Sequence, residues 1–122
     1  MLLTRESLPE TIHDIAGLDD LLCRPSQPLI DDLARVDGDI MILGVAGKMG
    51  PTLAGLAKAA LPHRRVIGIA RFSDPSAKAW LEARGIETIS CDLLDESAVK
   101  ALPKSPNVVF MAGRKFGAEG DL

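Results

Sequence analysis

Not one of the 122 residues is tyrosine. A mechanism that needs a phenol as acid or base is therefore absent from these residues. Cysteine is nearly as scarce. Cys23 and Cys91 lie far apart with no metal-type spacing, so two free thiols are expected, with neither a disulfide nor a metal site. Basic charge is not in excess. The net charge of -3 excludes the electrostatic footprint of a nucleic-acid partner. No apolar run reaches the roughly 20 residues that cross a bilayer. The start, Met1 to Glu6, lacks a basic segment followed by a long apolar core, so it reads as an ordinary N-terminus and not as a signal peptide. These absences point to the cytoplasm, with no membrane partner. His13 and His63 have no companions that suggest a metal.

What is present is globular. An apolar fraction of 47% over this length suits one domain with a modest core. The most informative segment is Gly44-Val-Ala46-Gly47-Lys48-Met49-Gly50. An apolar run, Ile40 to Leu43, precedes it, and a helix-like segment, Pro51 to Leu61, follows. Strand, glycine turn and helix start in that order make a site for a diphosphate. Glycine lets the backbone turn sharply and lets phosphate approach with no Cβ in the way, and the first helical amides face the anion. The cofactor candidates are therefore Gly44, Gly47 and Gly50 with the intervening Ala46, Lys48 and Met49. A Walker-type loop is excluded, because Met49 stands where Ser or Thr should hold magnesium. The competing reading is a tight turn that binds nothing.

Residues 1–37 read as a helical N-terminal extension. Leu18, Leu21 and Leu22 share one helix face up to Pro25, and Ser26 can cap a second helix. This extension is expected to serve packing or dimer contact. Residues 38–122 read as the N-terminal portion of a Rossmann domain. Strands at about 39–44, 65–70, 86–90 and 107–112 alternate with helices at about 50–61, 75–84 and 95–102. Asp74 or Ser73 would cap the second of these helices, Gly85 would end it, and Asp95 would cap the third. Such alternation implies an α/β fold with a parallel sheet, right-handed crossovers and helices on both faces. The strand order is expected to be 3-2-1-4, half of a doubly wound sheet. Strand 4 is continuously apolar, as suits a strand with neighbours and covered faces, yet it would lie at an open edge. The expectation is that these residues are a piece of a longer chain.

The end of strand 2 reads the cofactor's ribose. An acid there would take the 2′-hydroxyl of NAD, and an Arg would favour the 2′-phosphate of NADP. Arg71 occupies that place, and Ser73 could add a contact. NADP is weakly favoured on this ground. Asp74 competes, as a helix cap or as a displaced ribose ligand, and a solvated loop is the alternative for Arg71. After strand 3, Asp92-Leu93 offers a carboxylate to the adenine amine, or else a simple turn. Ala112 and Gly113 are small enough to let the backbone pass beside the cofactor. Arg114 and Lys115 could hold an anion or form a solvated basic turn.

The Gly44/Gly47/Gly50 spacing, Asp92-Leu93 and the Val-Phe-Met-Ala-Gly strand resemble the extended short-chain dehydrogenase/reductases, the NAD-dependent epimerase/dehydratase group, over residues 39–117. The resemblance implies a Rossmann domain, bound NAD or NADP and a sugar-nucleotide or similar substrate. It places the diphosphate on the three glycines, adenine at Asp92 and the nicotinamide side at Ala112-Gly113. That family's Tyr-x-x-x-Lys pair is missing here, Ala-Gly replaces its usual Ala-Ala, and the Arg-Lys-Phe-Gly continuation is unusual. The reaction type and the catalytic residues therefore do not carry over. Gly47-Lys-Met-Gly50 also resembles the Gly-Arg-Met-Gly turn of dihydrodipicolinate reductases, in which Lys48 would favour NADP.

The first functional expectation is thus the NAD(P)-binding portion of an epimerase/dehydratase-type oxidoreductase, inactive alone. The others are a non-catalytic dinucleotide-sensing or scaffold protein and a dihydrodipicolinate-reductase-like fragment. A homo-oligomer is compatible with each.

Overall fold

The computed structural model describes residues 1–113. Helices α1 (Ile15–Leu22) and α2 (Gln27–Ala34) precede an alternating series: β1 (Ile40–Leu43), α3 (Gly50–Ala60), β2 (Val66–Ala70), α4 (Pro75–Ala83), β3 (Glu87–Ser90), α5 (Glu96–Lys100) and β4 (Asn107–Phe110). The four strands are all parallel, in the order β3-β2-β1-β4. This is the expected Rossmann-like arrangement, with each element trimmed by a residue or two at its ends.

Alternation along the strands separates two apolar layers. On one face Ile40, Ile42, Val66 and Ala70 pack with Ala54 and Ala57 of α3 and Leu81 of α4. On the other, Met41, Ile67, Ile69 and Cys91 pack with Leu93, Ala98 and Leu102, around α5. Every residue of β2 is buried, as the central position of a covered parallel strand requires. Burying a side chain such as Ile67 or Ile69 stabilises the fold by about 1.5–3 kcal/mol. Val45 lies over Gly68, where a Cβ would meet its Cγ1 at 2.9 Å.

Short polar residues start four of the helices. Asp14 accepts from Gly17 N, Ser26 from Leu29 N, Asp74 from Ser76 N and Asp95 from Ala98 N. Gly85 closes α4 at φ +82°, its amide donating to the Glu82 carbonyl.

The two N-terminal helices pack against α3. Two contacts explain how. Cys23 is buried with its thiol facing Gly55 of α3, where a Cβ would lie 2.6 Å from the sulfur. Burial also pushes the Cys23 thiol pKa up, which favours the neutral thiol that packs there. From the far side, the Arg64 guanidinium donates to the Leu33, Ala34 and Val36 carbonyls and so caps the end of α2.

Among the described residues β4 pairs with β1 alone, and its side chains stay open: Val108 is 52% and Phe110 69% exposed. Its start is pinned to β1, because Asn107 Nδ2 donates to the Asp37 carbonyl at 2.6 Å and Ser105 Oγ to the Asp39 carbonyl at 2.8 Å. Arg114 and Lys115 lie outside the described residues.

Candidate functional site

The carboxyl ends of the four strands meet at one edge of the sheet. Gly44 N and Val45 N both donate to the Ile69 carbonyl, at 2.8 and 3.1 Å, so the chain leaves β1 beside β2. Met111 N donates to the Leu43 carbonyl at 2.8 Å, which brings Ala112 to the other side of the turn. The sequence connects β1 to β2 on one side, while β4 lies on the other. The crevice between β1 and β4 is therefore a topological switch point, where open α/β sheets bind ligands.

Within the glycine turn each residue has a distinct position. Val45 points inward and is fully buried, whereas Ala46, Gly47, Lys48 and Met49 are exposed. Gly44 sits at φ +80°, and a Cβ on it would lie 2.5 Å from the backbone N and Cα of Ala112. A Cβ on Gly50 would collide with the Val45 carbonyl. Those two glycines are thus required by the chain's own packing. Gly47 is different. Its φ is ordinary, and a Cβ there would meet nothing closer than the Gly44 carbonyl at 3.7 Å. Among the described residues the fold leaves room for a side chain at Gly47.

Helix α3 adds a second feature. It is the one described helix without a side-chain cap. Its first-turn amides carry the positive end of the helix dipole, and Lys48 stands beside them. An anion at the turn would supply the missing acceptor.

At the end of β2, the structure gives Asp74 a capping role. Its Oδ1 accepts from Ser76 N at 2.9 Å and from Ser76 Oγ at 2.7 Å. Those bonds hold the Asp74 carboxyl below its usual range. Asp74 is the cap of α4. Arg71 and Ser73 are exposed on either side of Phe72, which takes φ +54° and packs into the first core layer. No residue type signals a left-handed Phe, so this pivot was not legible in the sequence.

Beyond β3 the Asp92-Leu93 pair divides. Leu93 packs on the second core layer. Asp92 is exposed, and its Oδ1 accepts from Leu94 N at 2.9 Å, which leaves Oδ2 without a partner among the described residues. Just past β4, Ala112 is half-buried against Gly44, and a Cβ on Gly113 would meet no atom within 4 Å among the described residues. The predicted residues therefore gather at one sheet edge, with Leu93 turned to the core. Among the described residues no group of three or more His, Cys, Asp or Glu could hold a metal, and no helix is long and apolar enough to cross a membrane.

A model of the NAD-dependent epimerase/dehydratase family matches residues 40–120. The chain belongs to that family. No curated relative matches it. The matched span of this epimerase/dehydratase-family chain begins at β1 and contains the glycine turn, the ends of β2 and β3, and β4. It excludes α1 and α2. Membership makes the chain an NAD(P)-binding, oxidoreductase-type domain and implies a pyridine nucleotide as its cofactor.

Proposed function

We propose that this chain is the cofactor-binding portion of an epimerase, dehydratase or reductase and that it holds NADP in preference to NAD. The observation that supports the site is Gly47, where packing among the described residues does not require a glycine and a bound diphosphate would. In this reading residues 38–122 form the cofactor domain and residues 1–37 an appended pair of helices. Gly44, Ala46, Gly47, Lys48, Met49 and Gly50 embrace the diphosphate, which fills the cap position of α3. Asp92 Oδ2 is free to accept from the adenine amine. Ala112 and Gly113 border the nicotinamide side.

Arg71 carries the choice of cofactor. Its guanidinium can grip a 2′-phosphate through two charge-assisted hydrogen bonds, each contributing about 1.5–3 kcal/mol before desolvation. Asp74 caps α4 through Oδ1 and keeps its negative charge, so it weakens the grip of Arg71 on that phosphate without removing it. We expect NADP to bind about tenfold more tightly than NAD, equivalent to about 1.4 kcal/mol.

When bound, the nicotinamide supplies hydride transfer. The chain's own contribution is binding and orientation, because no tyrosine is present to pair with a lysine as acid/base. A sugar nucleotide or similar anion is the proposed substrate class, the cytoplasm the proposed compartment, and self-association through exposed β4 the route to an oligomer. Titration calorimetry with NADP and NAD tests the central claim. Binding of both, with NADP tighter, is the expected result. No heat from either on folded protein would refute cofactor binding, and a tighter NAD constant would refute the role of Arg71.

A further inference from the structure

A cavity of about 300 Å³ lies between α1, α3 and α4, with Asp19, Lys48, Thr52, Ser76 and Trp80 in its walls. Three separate parts of the chain build it. Lys48 belongs to the glycine turn and Thr52 to the first turn of α3. Ser76 and Trp80 come from α4, just after the Arg71–Asp74 loop. Asp19 comes from α1, outside the span matched by the family model. The cavity thus adjoins the glycine turn and the first turns of α3 and α4, and the loop that carries Arg71 leads into the same turn of α4.

The position of Asp19 is set by packing. Helix α1 rests on α3, and Cys23, one helical turn beyond Asp19, is pressed against Gly55. Asp20 faces another way: it pairs with Arg24 at 3.2 Å and lines a different cavity with Cys23 and Arg84. Asp19 has no ion-pair partner among the described residues, and neither has Lys48. A carboxylate and an ammonium that form no ion pair among the described residues therefore line one cavity beside the glycine turn.

We propose that Asp19, supplied by the N-terminal helices, is a specificity-determining residue that limits the preference for NADP. The inference rests on the cofactor reading above. A 2′-phosphate would enter the field of Lys48 and Arg71, which attract it, and of Asp19 and the capping Asp74, which repel it. A 2′-hydroxyl carries no charge and is indifferent to Asp19. The N-terminal helices then tune the site as well as bracing α3.

The test is titration of NADP and NAD into the 122-residue protein and its Asp19→Asn variant, with Asp20→Asn as the control on the same helix. For a partly exposed charge pair, Asp19→Asn should tighten NADP by about threefold to fivefold and change NAD by less than about twofold. The gain should shrink as salt rises. Asp20→Asn should leave the ratio of the two constants unchanged. Asp19→Ala repeats the measurement with a strong helix former, should the amide disturb α1. An unchanged ratio in folded Asp19 variants would overturn the inference while cofactor binding stands. So would an equal shift of both cofactors, or the same effect from Asp20→Asn. A parent protein that binds neither dinucleotide overturns the cofactor reading, and this inference with it.

Discussion

Replacing Gly47 by Ala should separate binding from folding. The residue has an ordinary φ, and among the described residues the added Cβ meets only the Gly44 carbonyl, at 3.7 Å. Folding should therefore be unaffected or improved by about 0.4–1 kcal/mol, because alanine restricts the unfolded chain. Binding should suffer, since the methyl group stands where the diphosphate approaches the turn. Loss of one charge-assisted hydrogen bond, about 1.5–3 kcal/mol, weakens the dinucleotide by roughly tenfold to 100-fold. Gly47→Val should weaken binding further. Gly44→Ala supplies the contrast. It forces a side chain to φ +80° and places a Cβ 2.5 Å from the Ala112 backbone. Left-handed strain of about 1–2 kcal/mol and overpacking of about 1–3 kcal/mol both fall on folding. A melting curve and a calorimetric titration on each variant distinguish the two glycines. Gly47→Ala should keep its Tm and lose affinity, whereas Gly44→Ala should lose Tm. A folded Gly47→Ala protein with the parent's Kd would show that the turn is only structural.

Arg71→Ala should remove most of the tenfold preference for NADP and leave NAD within about twofold, read by paired titrations. Gly55→Ala should destabilise by about 1–3 kcal/mol because its Cβ meets the Cys23 sulfur, and Cys23→Ala should offset part of that loss; denaturant melts of the double-mutant cycle showing simple additivity would contradict the contact. Phe110→Ser on the exposed edge strand should change stability by less than about 0.5 kcal/mol and reduce light scattering at high concentration. The Glu87 carboxyl is held below its usual range by hydrogen bonds from Arg65, so its contribution is present above the unfolded-state pKa and lost as pH falls through the folded one. The parent should therefore outlast Glu87→Gln in melts at neutral pH, with the two converging in acid.

The alternation of apolar runs with helical segments made the strand order legible, because parallel strands need crossovers and crossovers are right-handed. Caps were legible for the same local reason: Ser26, Asp74 and Asp95 bond to amides two or three residues ahead. Local chemistry could not decide between two roles for one side chain. Asp74 was open between cap and ribose ligand, and the structure shows the cap, with Ser76 bonded to Oδ1. Leu93, grouped with Asp92 by its position in a motif, proved to be a core residue, because only the packed layers reveal which side of a turn faces inward.

The sequence by itself determined the elements, their parallel order and the place of the glycine turn, since those follow from periodicity and from contacts a few residues apart. The tertiary structure decided which glycines the fold itself requires. It also decided that Phe72 turns inward and that Asp19 of α1 shares a cavity with Lys48 of the turn. The contacts of Gly44 with Ala112, Gly55 with Cys23 and Lys48 with the cavity that Asp19 shares join residues distant in sequence. No local pattern encodes such contacts, because they exist only once separate elements have packed together.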